Sequence, residues 1–217
     1  MFEHIFFYLI LLVLNLLFLF NFKKISEKIE ILDIPNTSRK THKRPTPLLG
    51  GLLIYSNIVI FLIYFFIFDR SVIFNNLYFT EAKPLIYFIF VISLVFLIGI
   101  YDDKHNLSAI LRLILISILI IFYLFVDNTA QLKNLTFSEV GFEITFGMGS
   151  ILFSYLCLII FLISCNMLDG INLQSFIFYV TNFVFLFFIQ ENLLILSIIF
   201  SLIIFALLNF NLSLIHI

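Results

Sequence analysis

Leu85-Ile-Tyr-Phe-Ile-Phe-Val-Ile-Ser-Leu-Val-Phe-Leu-Ile-Gly-Ile100 is an uncharged run that ends at Tyr101-Asp102-Asp103-Lys104-His105-Asn106. It is long enough to be a membrane span, for which a helix needs about 20 mainly apolar residues. Two adjacent carboxylates at its mouth are costly beside hydrocarbon and need a compensating reason. One reading is that they mark where a helix meets water, since spans often end in charge. The other is a divalent metal and a charged substrate at the membrane face. Working outward from this run separates the two.

The chain is 63% hydrophobic and 12% charged, with a mean hydropathy of +1.18. A soluble domain carries about 25% charged residues. The composition therefore predicts an all-α, polytopic transmembrane helix bundle, with residues 1–217 as one integral membrane domain. A net charge of -1 predicts no nucleic-acid partner, and the apolar composition predicts membrane lipids as the surrounding phase. Cys157 and Cys165 share one apolar run and read as small core residues. The first run, Ile5 to Phe22, lacks a basic leader and a small-residue cleavage site, so it reads as a retained span.

Seven apolar segments are expected, at about 4–22, 48–68, 84–101, 109–126, 149–165, 173–190 and 193–212. Gln190-Glu191-Asn192 should form a tight hairpin between the last two. Lys24 to Ile31 reads equally as a short interfacial helix or a loop. The first loop holds Lys23, Lys24, Lys28, Arg39, Lys40, Lys43 and Arg44, seven of the twelve basic residues. The positive-inside rule places that loop in the cytoplasm and the N-terminus outside. Alternation then brings Asp102-Asp103, and the polar stretch Asn166 to Asn172, to the same face.

Three polar clusters thus share one membrane face. In the first, Asp33 to Gly51, prolines and Gly50-Gly51 frame Lys40, His42, Lys43 and Arg44. An anchor on anionic headgroups explains the charge; the proline and glycine frame suits holding cations toward a phosphate. The second is Gly99 to Ala109 followed by Arg112, with Ser108 placed to cap the next span. Arg112 lies about one turn into it, able to snorkel or to meet a phosphate. The third is Asn166-Met-Leu-Asp169-Gly170-Ile-Asn172, which reads alone as a polar break and adds a third carboxylate. Mg2+ binds through one or two carboxylates plus phosphate oxygens, so the set points to phosphoryl transfer on a lipid phosphate. A transporter or flippase for an anionic or lipid-linked solute competes, but would place its acids at mid-membrane.

The clusters resemble the polyprenyl-phosphate N-acetylhexosamine-1-phosphate transferase family. Its members show Asp-x-Pro, Arg-Lys-x-His, Pro and Gly-Gly, here Asp33, Pro35, Arg39, Lys40, His42, Pro47, Gly50 and Gly51. They show an Asp-Asp pair after a glycine, then Leu-Ser and a basic residue, here Asp102, Asp103, Leu107, Ser108 and Arg112. They show Asn-x-x-Asp-Gly, here Asn166, Asp169 and Gly170. The resemblance implies transfer of a sugar-1-phosphate from a UDP-N-acetylhexosamine to undecaprenyl phosphate, with Mg2+ (or Mn2+) as cofactor. It implies that Asp102 or Asp103 assists the lipid phosphate or ligates the metal, and that Asp169 ligates Mg2+. It has Asn166 lining the site and Lys40, His42 and Lys43 meeting phosphates with Arg112. It also implies a bacterial plasma-membrane location and allows a homodimer.

Two departures qualify the match. Asn172 and Leu173 stand where many members continue Asp-Gly-Leu, which favours a surface-polysaccharide branch over the peptidoglycan one. Phe205 to Phe210, with Asn209 as a substrate-site candidate, resembles the start of a further motif. The Gly-Asp-x-Gly-Ser segment and basic loop that follow it in the family have no counterpart before Ile217. The expectation is a truncated chain, a fragment or a frameshift product, carrying seven of ten or eleven spans with most activity lost, or else a non-catalytic subunit of the same fold.

Overall fold

The computed structural model describes residues 5–30, 32–33, 46–47, 49–77, 81–137, 139, 141–168, 174–190, 195–196, 198–199 and 202–203. Its elements are α1 (Ile5–Ile29), β1 (Leu32–Asp33), β2 (Thr46–Pro47), α2 (Gly50–Phe68), α3 (Arg70–Leu77), α4 (Ala82–His105), α5 (Ala109–Val126), β3 (Asn134–Phe137), β4 (Phe142–Thr145), α6 (Ser150–Leu168) and α7 (Gln174–Gln190). Among the described residues, five helices are long and apolar enough to cross a membrane: α1, α2, α4, α5 and α6. They match the first five expected spans, and the fold is an all-α polytopic bundle. The sixth is α7, whose apolar part, Ile177–Ile189, is shorter. Most of 193–212 lies outside the described residues, as do residues 191–194 of the expected hairpin.

Two boundaries differ from expectation. α1 runs through Lys23 to Ile29 as one helix of 25 residues, so the separate interfacial helix is absent. Ile25 and Ile29 continue the helical period and pack, with Ile100 of α4, against Phe22, Leu49 and Leu53. Charge lowered hydropathy there without breaking the helix. Glu30, in the left-handed region at φ 60, ends it. α4 likewise continues past Tyr101 to His105, so the acid pair belongs to its last turn. A two-stranded hairpin, β3 paired antiparallel to β4, was not anticipated in the fourth loop.

Packing is layered along the membrane normal. At one end Phe7 and Leu11 of α1, Phe61 and Phe65 of α2, Ile73 of α3 and Leu85 of α4 form a buried cluster. At the other end lie Phe22, Leu49, Leu53 and Ile100. α5 and α6 join through Ile120, Leu124 and Ile159. Cys165 is buried as expected, whereas Cys157 is exposed and is not a core residue among the described ones.

Polar residues inside spans pair across helices, because a lone amide in hydrocarbon is costly. Asn15 of α1 and Asn57 of α2 exchange hydrogen bonds of 2.8 and 3.0 Å. Each also donates to a carbonyl one turn back, Leu11 and Leu53. Tyr55 and Ser93 join α2 to α4 at 2.8 Å, and the Tyr155 hydroxyl donates to Ser117 at 3.0 Å. Asn15→Leu should lower stability by about 1 kcal/mol by orphaning the Asn57 amide, and the Asn15→Leu/Asn57→Leu double variant should recover part of it. Unfolding by SDS in mixed micelles measures both; equal stability of the single variant and the parent would refute the pairing.

Candidate functional site

The site is built on the turn between α4 and α5. Asn106 adopts φ 50 and ψ 64, a left-handed conformation that Asn tolerates better than most side chains. Its backbone N–H closes on the Asp102 carbonyl at 2.7 Å. Ser108 then caps α5, its Oγ accepting the Leu111 N–H at 3.3 Å, as expected from the sequence. Three residues thus turn the chain between two antiparallel spans.

Asp102 clamps this turn. Its Oδ1 accepts the Leu107 N–H at 3.0 Å, and its Oδ2 lies 3.1 Å from Arg112 Nε. The Arg112 Nε hydrogen is not aimed at that oxygen, so Nε is buried without a hydrogen bond. The contact is an ion pair rather than a directional bond. Asp102 is 15% exposed and Arg112 36%. Each charge sits at the unfavourable end of its own helix dipole, an acid at the C-terminus of α4 and a base at the N-terminus of α5. The pair offsets both costs. Asp103, next in the chain, is exposed at the mouth, and the His105 ring packs 4.4 Å from that of Tyr101.

The sequence placed Arg112 near the mouth for snorkelling or a phosphate; the structure gives it Asp102 as counter-ion. That pairing was hidden because it depends on the turn. The legible signal was Asn106 followed by Leu107-Ser108, a C-cap running into an N-cap.

The β1–β2 ladder brings the first cluster's ends to the same place. Leu32 pairs with Pro47 and Asp33 with Thr46, and β1 lies against α4. Leu49 and Leu53 just beyond it touch Ile100, two residues before Asp102. Lys40, His42 and Lys43 lie between the two strands and outside the described residues, as do Asp169 and Asn209. Of Asn166 the backbone alone is described, in the last turns of α6. α6 packs beside α5 with Tyr155, early in α6, bonded to Ser117, so it descends toward the α5 N-terminus where Arg112 sits.

As a metal site, the acid pair fits a hard cation that completes its shell with phosphate oxygens and water. Among the described residues no three His, Cys, Asp or Glu side chains gather at metal distances. Two carboxylates are enough for Mg2+ when a diphosphate supplies the rest. Asp103 is the more exposed of the two carboxylates.

A second buried acid is structural. Asp127, at the opposite end of α5, is 3% exposed. Burial pushes its carboxyl up, but the Thr129 hydroxyl and N–H, the Tyr123 hydroxyl and the Ala130 N–H outweigh this and hold it below the ordinary value.

The model of glycosyl transferase family 4 matches residues 85–216, more than half of the 217 residues. The chain belongs to glycosyl transferase family 4. The match starts at Leu85 and contains Asp102, Asp103, Arg112, Asn166, Asp169 and Asn209; Lys40, His42 and Lys43 precede it. Comparison with curated proteins and with solved structures gives no match. Glycosyl transferase family 4 makes this multi-pass membrane protein a sugar-phosphate transferase in class.

Proposed function

We propose that the chain transfers N-acetylhexosamine-1-phosphate from a UDP-N-acetylhexosamine to undecaprenyl phosphate, releasing UMP and starting a lipid-linked surface polysaccharide. The observation that supports this most is the Asp102–Arg112 pair beside exposed Asp103, at the end of the bundle to which β1 and β2 tie the cationic loop. The basic first loop argues that this end is cytoplasmic and that the membrane is a bacterial plasma membrane.

A lipid phosphate oxygen forms a bond to the phosphorus that carries the sugar. The bond from that phosphorus to the bridging oxygen breaks, and UMP leaves with the electron pair. A phosphate monoester is largely dianionic at pH 7, its second pKa being about 6, so no general base is needed. Bound Mg2+ supplies charge neutralisation on the diphosphate. Asp103, with Asp169, would hold it. Asp102 holds Arg112 toward the mouth, where its remaining N–H groups meet a phosphate. Lys40, His42 and Lys43 add positive charge, and Asn166 and Asn209 contribute polar contacts to the sugar nucleotide.

The test is UMP release from UDP-N-acetylglucosamine and UDP-N-acetylgalactosamine, with undecaprenyl phosphate and Mg2+. Membranes carry either the 1–217 chain or the longest reading frame that contains it. Release that depends on both lipid phosphate and metal, and is lost in Asp103→Asn, is expected of the longest such frame. Its absence there with both donors would overturn the proposal. Release by 1–217 alone would show that these residues suffice.

A further inference from the structure

We infer that the β3–β4 hairpin is an interfacial membrane anchor, its apolar face entering the headgroup–acyl boundary of the leaflet opposite Asp102. Alternate residues of a strand face opposite ways, and cross-strand partners share a face. The pairs Leu135–Ile144 and Phe137–Phe142 therefore make one side of the ribbon, and Asn134–Thr145 and Thr136–Glu143 the other. The first side is wholly apolar, with Leu135 38%, Phe137 50%, Phe142 56% and Ile144 38% exposed. The second is polar and internally bonded, Asn134 Nδ2 donating to Glu143 Oε1 at 2.6 Å. The chain between two spans has thus been sorted into an oily and a wet face, yet among the described residues the oily one packs on no core.

The height of the hairpin identifies its partner. The Leu132 N–H donates to Ser154 Oγ at 2.7 Å, and Ser154 is buried four residues into α6. The Gln131 amide donates to the Leu124 carbonyl of α5 and accepts from Ser150 of α6, both at 2.8 Å. Phe146 closes the base by donating to the Lys133 carbonyl at 2.9 Å, and its ring stacks on Phe153 at 3.9 Å. The base of the ribbon is therefore level with the second turn of a membrane-crossing helix, about 6 Å inside its end. Strands of four residues reach only about 13 Å from there. Phe125 in the last turn of α5, Leu132 and Met148 flanking the ribbon, and Leu152 in the first turn of α6 are likewise exposed, at 65%, 44%, 104% and 63%. A base bonded to Ser154 and tied through Gln131 to Ser150, both of a helix long and apolar enough to cross a membrane, commits the occupant of the apolar face to lipid. The anchor lies at the end opposite the acid pair, so the inference stands independently of the transferase reading.

The chain contains no tryptophan, so one introduced residue reports on one position. Phe142→Trp probes the apolar face and Thr136→Trp the polar face, each in the full chain reconstituted in phosphatidylcholine–phosphatidylglycerol vesicles. At high lipid-to-protein ratio, lipids brominated near the carbonyl should quench Phe142→Trp at least about twofold more than Thr136→Trp, as for a ring held ~5–10 Å into the boundary. Acrylamide should quench Thr136→Trp in preference. Acrylamide quenching of both would place the ribbon in water and overturn the anchor. So would quenching of both by brominated lipid. Shielding of Phe142→Trp that appears only at high protein density would assign the face to a second copy, and shielding from both quenchers at every density to burial within the protein; either overturns it.

Discussion

Asp102→Asn and Arg112→Gln are each expected to lower UMP release by about 100- to 1,000-fold, the cost of losing one preorganised charge from a phosphoryl-transfer site. The double variant should fall no further than the worse single variant, because the two side chains act as one unit across the turn. Asn at 102 still offers a carbonyl oxygen to the Leu107 N–H, so the turn survives and the loss reports on Arg112. Asp103→Asn should produce a loss of similar size by a different route. It should raise the Mg2+ concentration needed for half-maximal rate, which Asp102→Asn should leave nearly unchanged. Titrating Mg2+ against rate in the longest reading frame containing the chain gives all four results. Multiplicative losses in the Asp102→Asn/Arg112→Gln pair, or an equal Mg2+ shift in both aspartate variants, would refute the division of labour between the two acids.

Phe61→Ala is expected to cost about 3 kcal/mol, the lower end for truncating a buried Phe. Residual cavity and lost dispersion remain in lipid while the transfer term weakens. Phe61 is fully buried and touches Phe7 and Phe65 edge-on or tilted, with ring centroids 6.0 and 5.0 Å away. The cluster ties α1, α2, α3 and α4 together at the end remote from Asp102. The SDS fraction needed for unfolding should drop sharply, while turnover at low temperature should stay near the parent's. An unchanged unfolding midpoint would show that lipid or a neighbour refills the cavity.

Spans were legible because apolar length is a direct physical requirement of the bilayer, which is why 109–126 coincides with α5 and 48–68 nearly with α2. Where charge and periodicity disagreed the reading failed. Lys23, Lys24, Glu27 and Lys28 lowered hydropathy, yet Ile25 and Ile29 kept the helical spacing and found Leu49 and Leu53 to pack on. The β3–β4 ribbon escaped notice because its short alternation, Asn134-Leu-Thr-Phe137 and Phe142-Glu-Ile-Thr145, looks like loop composition until the two strands are seen in register. The candidate acid pair stood out in the sequence by its cost. The Asp102–Arg112 contact did not, because it is created by one left-handed residue, Asn106, that no periodicity reveals.

The two-residue ladder of β1 and β2 acts as a leash. A chain spans at most about 3.6 Å per residue. Counted back from Thr46 in β2, Lys43, His42 and Lys40 stand three, four and six residues away. Their backbones therefore cannot stray beyond roughly 11, 14 and 22 Å from the ladder. Tethering of this kind sets a high effective concentration inside a small sphere and none outside it. With the ladder held against α4, a phosphate bound by these cations, as proposed, would lie within that reach of the ladder. Lengthening the segment before Thr46 would dilute their charge without removing any of it.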